Sequence, residues 1–259
     1  MFIYIVATFF SEIYRKVNKF SNNFCMAKSP ERKASTPKSQ MTRERIVSAA
    51  LDLFETKGYD ESTMRDIAKA AGVSLGLTYR YFARKEELVL ALYEQLAQQA
   101  FDKVQGIPKG PISERFPKAV SLSLEILSHH RGTLSALFSA GLSTTSSLAV
   151  LGDGTIDVRE KMLATFRTVL TGSSDAPKGK KVEQLTSIMY AGHLLTVLFW
   201  TQDRTEGQAQ AKRLVALYPK AIKWGLPLLR LPIVTSLLKE LSEIIEPMFG
   251  ANPVPMSAN

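Results

Sequence analysis

The chain has 259 residues, 45% of them hydrophobic and 22% charged, with a formal net charge of +9. That length and balance exclude a wholly disordered or fibrous protein and leave room for one or two packed domains. A single cysteine, Cys25, excludes an internal disulfide and a cysteine metal cluster, and suits a reducing compartment.

Residues 1–40 carry +5 (7 Lys/Arg against 2 Asp/Glu), residues 41–101 carry −1 (8 against 9) and the remainder +5 (18 against 13). Bulk charge therefore says little about a nucleic-acid partner, and motifs must carry the argument. The opening MFIYIVATFF is apolar but has no basic residues before it and no small-residue cleavage site after it, unlike a secretory signal. A membrane-spanning helix needs about 20 apolar residues, so this run is too short for one. The polar, basic stretch SNNFCMAKSPERKASTPKSQM that follows has the composition of a disordered lead-in. Residues 1–40 are expected to be an N-terminal extension, with Met26 the functional start and residues 1–25 dispensable. The alternative is a weak interfacial anchor, Phe2 to Phe10 followed by Arg15, Lys16 and Lys19.

From Thr42, a candidate N-cap, Ile46, Ala50, Leu53 and Phe54 fall on one face of a helix of about four turns that ends at Gly58. Thr63-Met64-Arg65-Asp66 is a capping box opening a short second helix, whose apolar face is Ile67, Ala68 and Ala71 and which Gly72 stops. Ser74 caps a third helix running to Phe82. Two short capped helices joined by Gly-Val, with small Ala68 at the crossing, describe a helix-turn-helix that presents its second member to the major groove. A fourth helix from Lys85 to Ala100 keeps the stripe Val89, Leu92, Tyr93, Leu96 and Ala100.

The run STMRDIAKAAGVSLGLTYRYFARKEELVLALY, with IVSAALDLFETKGYD before it, resembles the DNA-binding domain of the TetR family over Met41 to Phe101. The resemblance implies an all-α protein: a three-helix DNA-binding bundle in residues 41–101, a larger helical effector-binding and dimerisation domain in residues 102–250, and a tail, 251–259. It implies that Thr63 and Arg65 approach DNA from the second helix, that Ser74, Gly76, Leu77, Tyr79, Arg80 and Tyr81 face the groove or its walls, and that Lys85 meets a phosphate. Hydroxyls, helix-start amides and a lysine suit phosphate, while an arginine can grip guanine bidentately. Plainer readings stand beside these: Tyr79 and Phe82 as core aromatics, Arg80 as a solvated charge, Arg65 paired with Asp66 or Glu61, and Lys85 as part of a charged helix start. Three departures from the family pattern, Leu75 in a usually polar place, Leu77-Thr78 in reversed order and Tyr81 where histidine is frequent, point to an unusual sequence preference.

QGIPKGP, residues 105–111, marks the boundary between the two domains. Helices are expected at Ile112 to His129, Gly132 to Leu142, Thr155 to Thr171, Val182 to Gln202, Glu206 to Gly225 and Ile233 to Met248, with no strand. Val182 to Gln202 is almost continuously apolar after its first turn and must be buried on most sides. By the resemblance, this helix and Gln208 to Leu226 form a four-helix homodimer interface, so that two recognition helices read a palindromic operator. Phe116, Leu124, Phe138, Met162, Phe166, Met189, Tyr190, His193 and Trp200 are candidates for an effector cavity, although such residues at helical spacing more often pack a core. His193 reads as a hydrogen-bonded core or interface histidine, and His129 and His130 as partners of free helix-end carbonyls.

The function expected is a cytoplasmic, homodimeric, operator-binding repressor released by a small hydrophobic effector, with no cofactor, metal or membrane partner. No phosphate loop, H-E-x-x-H, G-x-S-x-G elbow or cysteine cluster suggests an enzyme, and the GDG at Gly152 to Gly154 lacks the spacing of a nucleotide motif. The alternative is a helical scaffold whose helix-turn-helix no longer reads DNA.

Overall fold

The computed structural model describes residues 37–137, 141, 146–228 and 231–249. The N-terminal extension up to residue 36, Phe138, the far end of the helix expected to reach Leu142, and the tail 251–259 lie outside the described residues. Every regular element among the described residues is helical, and the one strand-like pairing is an isolated bridge between Gly110 and Ser173.

Helix α1 (Pro37–Thr56) starts before the expected cap. Proline at the first helical position has its φ pre-set and no amide to waste, and Thr42 lies inside the helix, its hydroxyl donating to the Lys38 carbonyl at 2.9 Å. Thr42 is therefore a back-bonded interior residue, not an N-cap. By its internal contacts the chain divides after Thr42, and Arg43 onward forms one compact unit. The buried face of α1 is Ile46, Val47, Ala50, Leu51 and Phe54, while Leu53 is only half-buried. The stripe is thus rotated slightly from the one expected. Gly58 closes the helix at φ +94°, where a side chain would be strained.

Helices α2 (Met64–Ala70) and α3 (Leu75–Tyr81) follow, then the long α4 (Lys85–Gln105). Leu88, Val89, Leu92, Leu96, Ala100 and Val104 bury one side of α4 along its whole length. That helix packs on α5 (Ile112–Ser128) and α7 (Ile156–Thr171), so a single apolar cluster continues from Ile46 in α1 to Phe249. Helix α6 (Arg131–Ala136) is short. Helix α8 (Lys181–Gln202) packs on α7, and α9 (Ala209–Leu228) on α5. The last helix, α10 (Pro232–Phe249), packs on α8.

The helix expected from Glu206 begins instead with a tight turn, Glu206–Gln208, in which Gly207 and Gln208 take positive φ. Asp203 sets this start: one carboxylate oxygen accepts from the Thr205 amide and hydroxyl, the other from the Ala211 amide at 2.8 Å. These bonds hold the Asp203 carboxyl below its usual pKa.

Three buried or half-buried arginines clasp loose backbone ends in the larger domain. Arg115 donates to the carbonyls of Val169, Ile107 and Pro108, tying the α4–α5 connection to the end of α7. Arg131 donates to the Asp203 carbonyl at 2.6 Å beyond the end of α8, and Arg159 to Gly152 and to the Thr155 hydroxyl. Each cation thereby satisfies carbonyls that a helix end or loop leaves open.

Candidate DNA-binding site

The site is built from two caps and one glycine. At the start of α2 the Thr63 hydroxyl accepts from the Asp66 amide and the Asp66 carboxylate accepts from the Thr63 amide, both at 3.2 Å, completing the capping box. Lys57 adds its ammonium to the same carboxylate at 2.7 Å. Lys57 first, then the Thr63 bonds, lower the Asp66 pKa to about 2. Asp66 thus pairs with Lys57, and Arg65 is left pointing to solvent.

Helix α2 ends in a paired-bond cap, with the Val73 amide on the Ala68 carbonyl (3.0 Å) and the Gly72 amide on the Lys69 carbonyl (3.2 Å). This geometry needs a left-handed residue, and Gly72 has φ +63°. Ser74 follows, in extended conformation, and its hydroxyl accepts from the Leu77 amide at 3.2 Å to start α3. Only Gly72 and Val73 lie between the C-cap Ala71 and the N-cap Ser74, which leaves little freedom in the turn.

On α3, Thr78 is fully buried, its hydroxyl donating to the Ser74 carbonyl. Phe82, at the end of the helix, is buried too, and Leu75 is half-buried on the same side. These positions are three and four residues apart and form the inner face. The other side carries Ser74, Gly76, Tyr79 and Arg80, all exposed, with Tyr79 50% exposed. Leu77 and Tyr81 flank them, half-buried. Phe82 is therefore the core aromatic of the pair, and Tyr79 the surface one. Thr63 and Arg65 are exposed on α2.

Lys85 is placed differently from a free phosphate ligand. Its ammonium donates to the carbonyls of Tyr59 (2.5 Å), Ser62 (3.1 Å) and Asp60 (3.4 Å) and lies 4.1 Å from the centre of the Tyr59 ring. Burial, followed by Glu86 and Asp60, raises the Tyr59 phenol to about 12, so it stays neutral beside the cation. Lys85 therefore closes the α1–α2 loop onto the start of α4. Arg84 is an exposed cation next to it that sequence reasoning passed over, since nothing in the periodicity distinguishes it from its neighbour. Among the described residues Arg65, Arg80 and Arg84 form no ion pair.

Sequence alone also missed the bracing of the head. Arg43 lies over the Phe82 ring at 5.2 Å and reaches Glu94 at 3.7 Å. His130, expected at free carbonyls, instead places Nδ1 2.9 Å from a Glu55 carboxylate oxygen, joining the α5–α6 corner to α1. The carboxylate is 75 residues away in the chain, beyond any local pattern.

The pattern that defines "Bacterial regulatory proteins, tetR family" matches residues 46–92, from the face of α1 through α3 into α4. Residues 46–92 are thus a DNA-binding domain of the TetR type. Among the proteins it resembles, the uncharacterized HTH-type transcriptional regulator YvdT of Bacillus subtilis is 36% identical over 63 residues, 24% of this chain and 32% of its own. The HTH-type transcriptional regulator EthR of Mycolicibacterium smegmatis is 27% identical over 148 residues, 56% of this chain and 66% of its own. The chain thus spans less than two thirds of these relatives' lengths. A crystal structure of a tetR-family transcriptional regulator from Streptomyces coelicolor shares the fold with a TM-score of 0.54 at 22% identity, over 81% of this chain and 88% of that one.

In the larger domain, most of the effector-cavity candidates are packed together. Phe166 is fully buried, with the rings of Phe116, Tyr190 and His193 at 5.7, 6.3 and 5.1 Å. Met162, Met189 and Trp200 are also buried and Leu124 half-buried. His193 lies 3.5 Å from the Ser123 hydroxyl through Nε2, and its Nδ1 has no partner among the described residues. Burial lowers the imidazole to about 4, so it is neutral at physiological pH. Among the described residues no cluster of three potential metal ligands occurs.

Proposed function

We propose that this TetR-family protein is a homodimeric, sequence-specific transcriptional regulator that binds a palindromic operator and is released from it by a small, largely hydrophobic effector. The observation that carries the reading is the two-sidedness of α3: Thr78 and Phe82 anchor one side while Gly76, Tyr79 and Arg80 stand free on the other. A helix so braced presents polar groups to a groove at no cost in refolding. Thr63, Ser74, Tyr79 and Tyr81 would fix the backbone register, Arg65 and Arg80 would contact base edges or phosphate, Leu77 would meet a thymine methyl, and Gly76 would allow close approach. Lys85 contributes by holding the loop under α2.

Dimerisation through α8 and α9 follows from what they leave uncovered: Leu195 and Phe199 on α8, Leu217 and Trp224 on α9, with Trp224 78% exposed. Two heads about 34 Å apart would engage successive major-groove faces. The aromatic core around Phe166 and His193 is the region where an apolar effector would insert, shifting the larger domain against α4. Release requires the effector to favour the DNA-incompetent arrangement, typically by about 1–3 kcal/mol.

Footprinting on DNA flanking the protein's own gene tests this reading. A protected inverted repeat, lost on Arg80→Ala, is expected. Equal binding of specific and random DNA would favour the scaffold alternative.

A further inference from the structure

The three arginine clasps of the larger domain differ in what they leave over. Arg115 uses Nε and Nη1 on carbonyls, and Arg131 sets Nη2 against those of Trp200, Thr201 and Asp203. Either way, one prong of the Nε–Nη2 edge is taken. Arg159 instead uses Nη1, on the Val150 and Gly152 carbonyls and the Thr155 hydroxyl. The residue is 3% exposed and its Nε is shut off from solvent. Among the described residues neither Nε nor Nη2 of Arg159 has a hydrogen-bond partner. That edge is the one with which an arginine grips a carboxylate through two parallel hydrogen bonds.

The free edge belongs to a residue of the aromatic core. Arg159, Met162 and Phe166 share one face of α7, and Thr186, Tyr190 and His193 one face of α8, by their helical spacing. The two faces meet: the Phe166 ring lies 6.3 Å from that of Tyr190 and 5.1 Å from that of His193, and Arg159 and Tyr190 act on each other's charge. Tyr190 is buried, and its hydroxyl forms no hydrogen bond among the described residues. Burial pushes its phenol pKa up, so it stays a neutral donor. The Thr186 hydroxyl and His193 Nδ1, a turn to either side on α8, also lack partners among the described residues. Unmet donors in an apolar seam are costly unless a polar group enters it.

Charge selects that group. Burial disfavours the Arg159 cation and lowers its pKa, while Asp153 and Glu160, the acids that act on it, are exposed and screened by water. An anion brought into the seam would pair with the cation where it is desolvated. One guanidinium balances one negative charge, which favours a monoanion over a phosphate dianion. We propose that the α7–α8 seam binds a small apolar monocarboxylic acid, its carboxylate on the Nε–Nη2 edge of Arg159 and the Tyr190 hydroxyl, its apolar body against Met162 and Phe166. The seven residues from Arg159 to Phe166 rise roughly 10 Å, which sets the length of that body. The inference rests on the effector reading above and deepens it by giving the hydrophobic effector an acid group.

The test is isothermal titration of the full-length chain with 4-phenylbutyrate, 2-naphthoate and octanoate, each beside its uncharged primary amide. At least one acid should bind with a dissociation constant about tenfold or more below that of its amide. Arg159→Met should abolish the preference by weakening the acid and sparing the amide, and Tyr190→Phe should weaken the acid by about threefold or more. Failure of all three acids to bind, acids that bind no better than their amides, or a preference that survives Arg159→Met would overturn the proposal. An arginine that only clasps its loop would lower Tm on substitution and leave the acid-to-amide ratio unmoved. Circular dichroism checks that helix content is kept. If Arg159→Met loses it, Arg159→Lys, which keeps the charge without the fork, and Tyr190→Phe serve: acid binding weakened in both is expected, and acid binding unchanged in both overturns the proposal. Tighter binding of 4-phenylbutyl phosphate than of the acid would assign the edge to phosphate and overturn the carboxylate. An amide that releases the protein from its operator, when no acid does, would remove this inference and leave the effector reading standing. A footprint with no protected operator would instead remove the regulator reading.

Discussion

Lys85 gives the sharpest test, because its placement and the family resemblance assign it different work. Lys85→Met keeps the aliphatic stem and removes the ammonium from the carbonyls of Tyr59 and Ser62 and from the face of the Tyr59 ring. A hydrogen bond from a charged donor contributes about 1.5–3 kcal/mol, and a cation on a ring at a partly exposed site about 0.5–1 kcal/mol. Lys85 is half-buried, so water can serve the vacated carbonyls and offset part of the loss. A net destabilisation of about 2 kcal/mol remains, which for a chain of this size lowers Tm by roughly 4–8 °C. Scanning calorimetry at fixed protein concentration measures it. Operator affinity is then taken as a function of salt at a temperature where both proteins are folded. Each phosphate contact contributes about 0.9 to the slope of log affinity against log salt, so two lysines in a dimer that each touch one would contribute about 2. The slope should be unchanged in Lys85→Met. An unchanged Tm together with a slope shallower by about 2 would refute the bracing role and restore Lys85 to the DNA.

Arg80→Ala, at an exposed position, should leave Tm within about 1 °C, weaken operator binding by about 1–3 kcal/mol and relax one base-pair preference, read by competition with single-site operator variants. Thr63→Ala removes half of the capping box and should cost about 1 kcal/mol in urea denaturation. The Asp66 carboxyl titrates near 2 when folded, below the ordinary carboxylate range, so its stabilisation is present above about pH 4 and fades as pH falls toward 2. Asp66→Asn should flatten that limb of a stability–pH profile. His193 has the opposite history: its folded pKa, lowered to about 4, lies below the unfolded value near 6.5. The unfolded chain therefore binds the extra proton, and stability should fall as pH drops from about 6.5 to 4, by up to roughly 3 kcal/mol. His193→Gln should remove this slope, and a slope that persists would move its origin elsewhere.

The helix-turn-helix was legible because its determinants are local. Thr63 with Asp66, Gly72, and Ser74 with Leu77 each settle a helix end within four residues, and the structure realises all three as read. The same locality misled at Thr42, where a threonine suited to capping lies inside a helix that a proline begins earlier. In the larger domain the apolar runs announced most of the helices, but what holds them was out of reach. Arg115 meets a carbonyl 54 residues on, Arg131 one 72 residues on, and His130 a carboxylate 75 residues back. A charged residue's partner at such range follows from the packing of helices and leaves no trace in spacing. The loop carbonyls that Lys85 meets likewise belong to the backbone and have no sequence signature.

Helix α4 serves two masters along one rod. Its 21 residues make it about 30 Å long, buried at its near end against the reading head and along its length against α5 and α7. A rod of that length pivoting by about 5° swings its tip through roughly 3 Å, nearly the rise of one base pair along the duplex. Because apolar packing joins it to the helices before it and to α5 and α7 without a flexible joint, small rearrangements among the aromatic rings near α7 would be geared up into larger displacements at its far end.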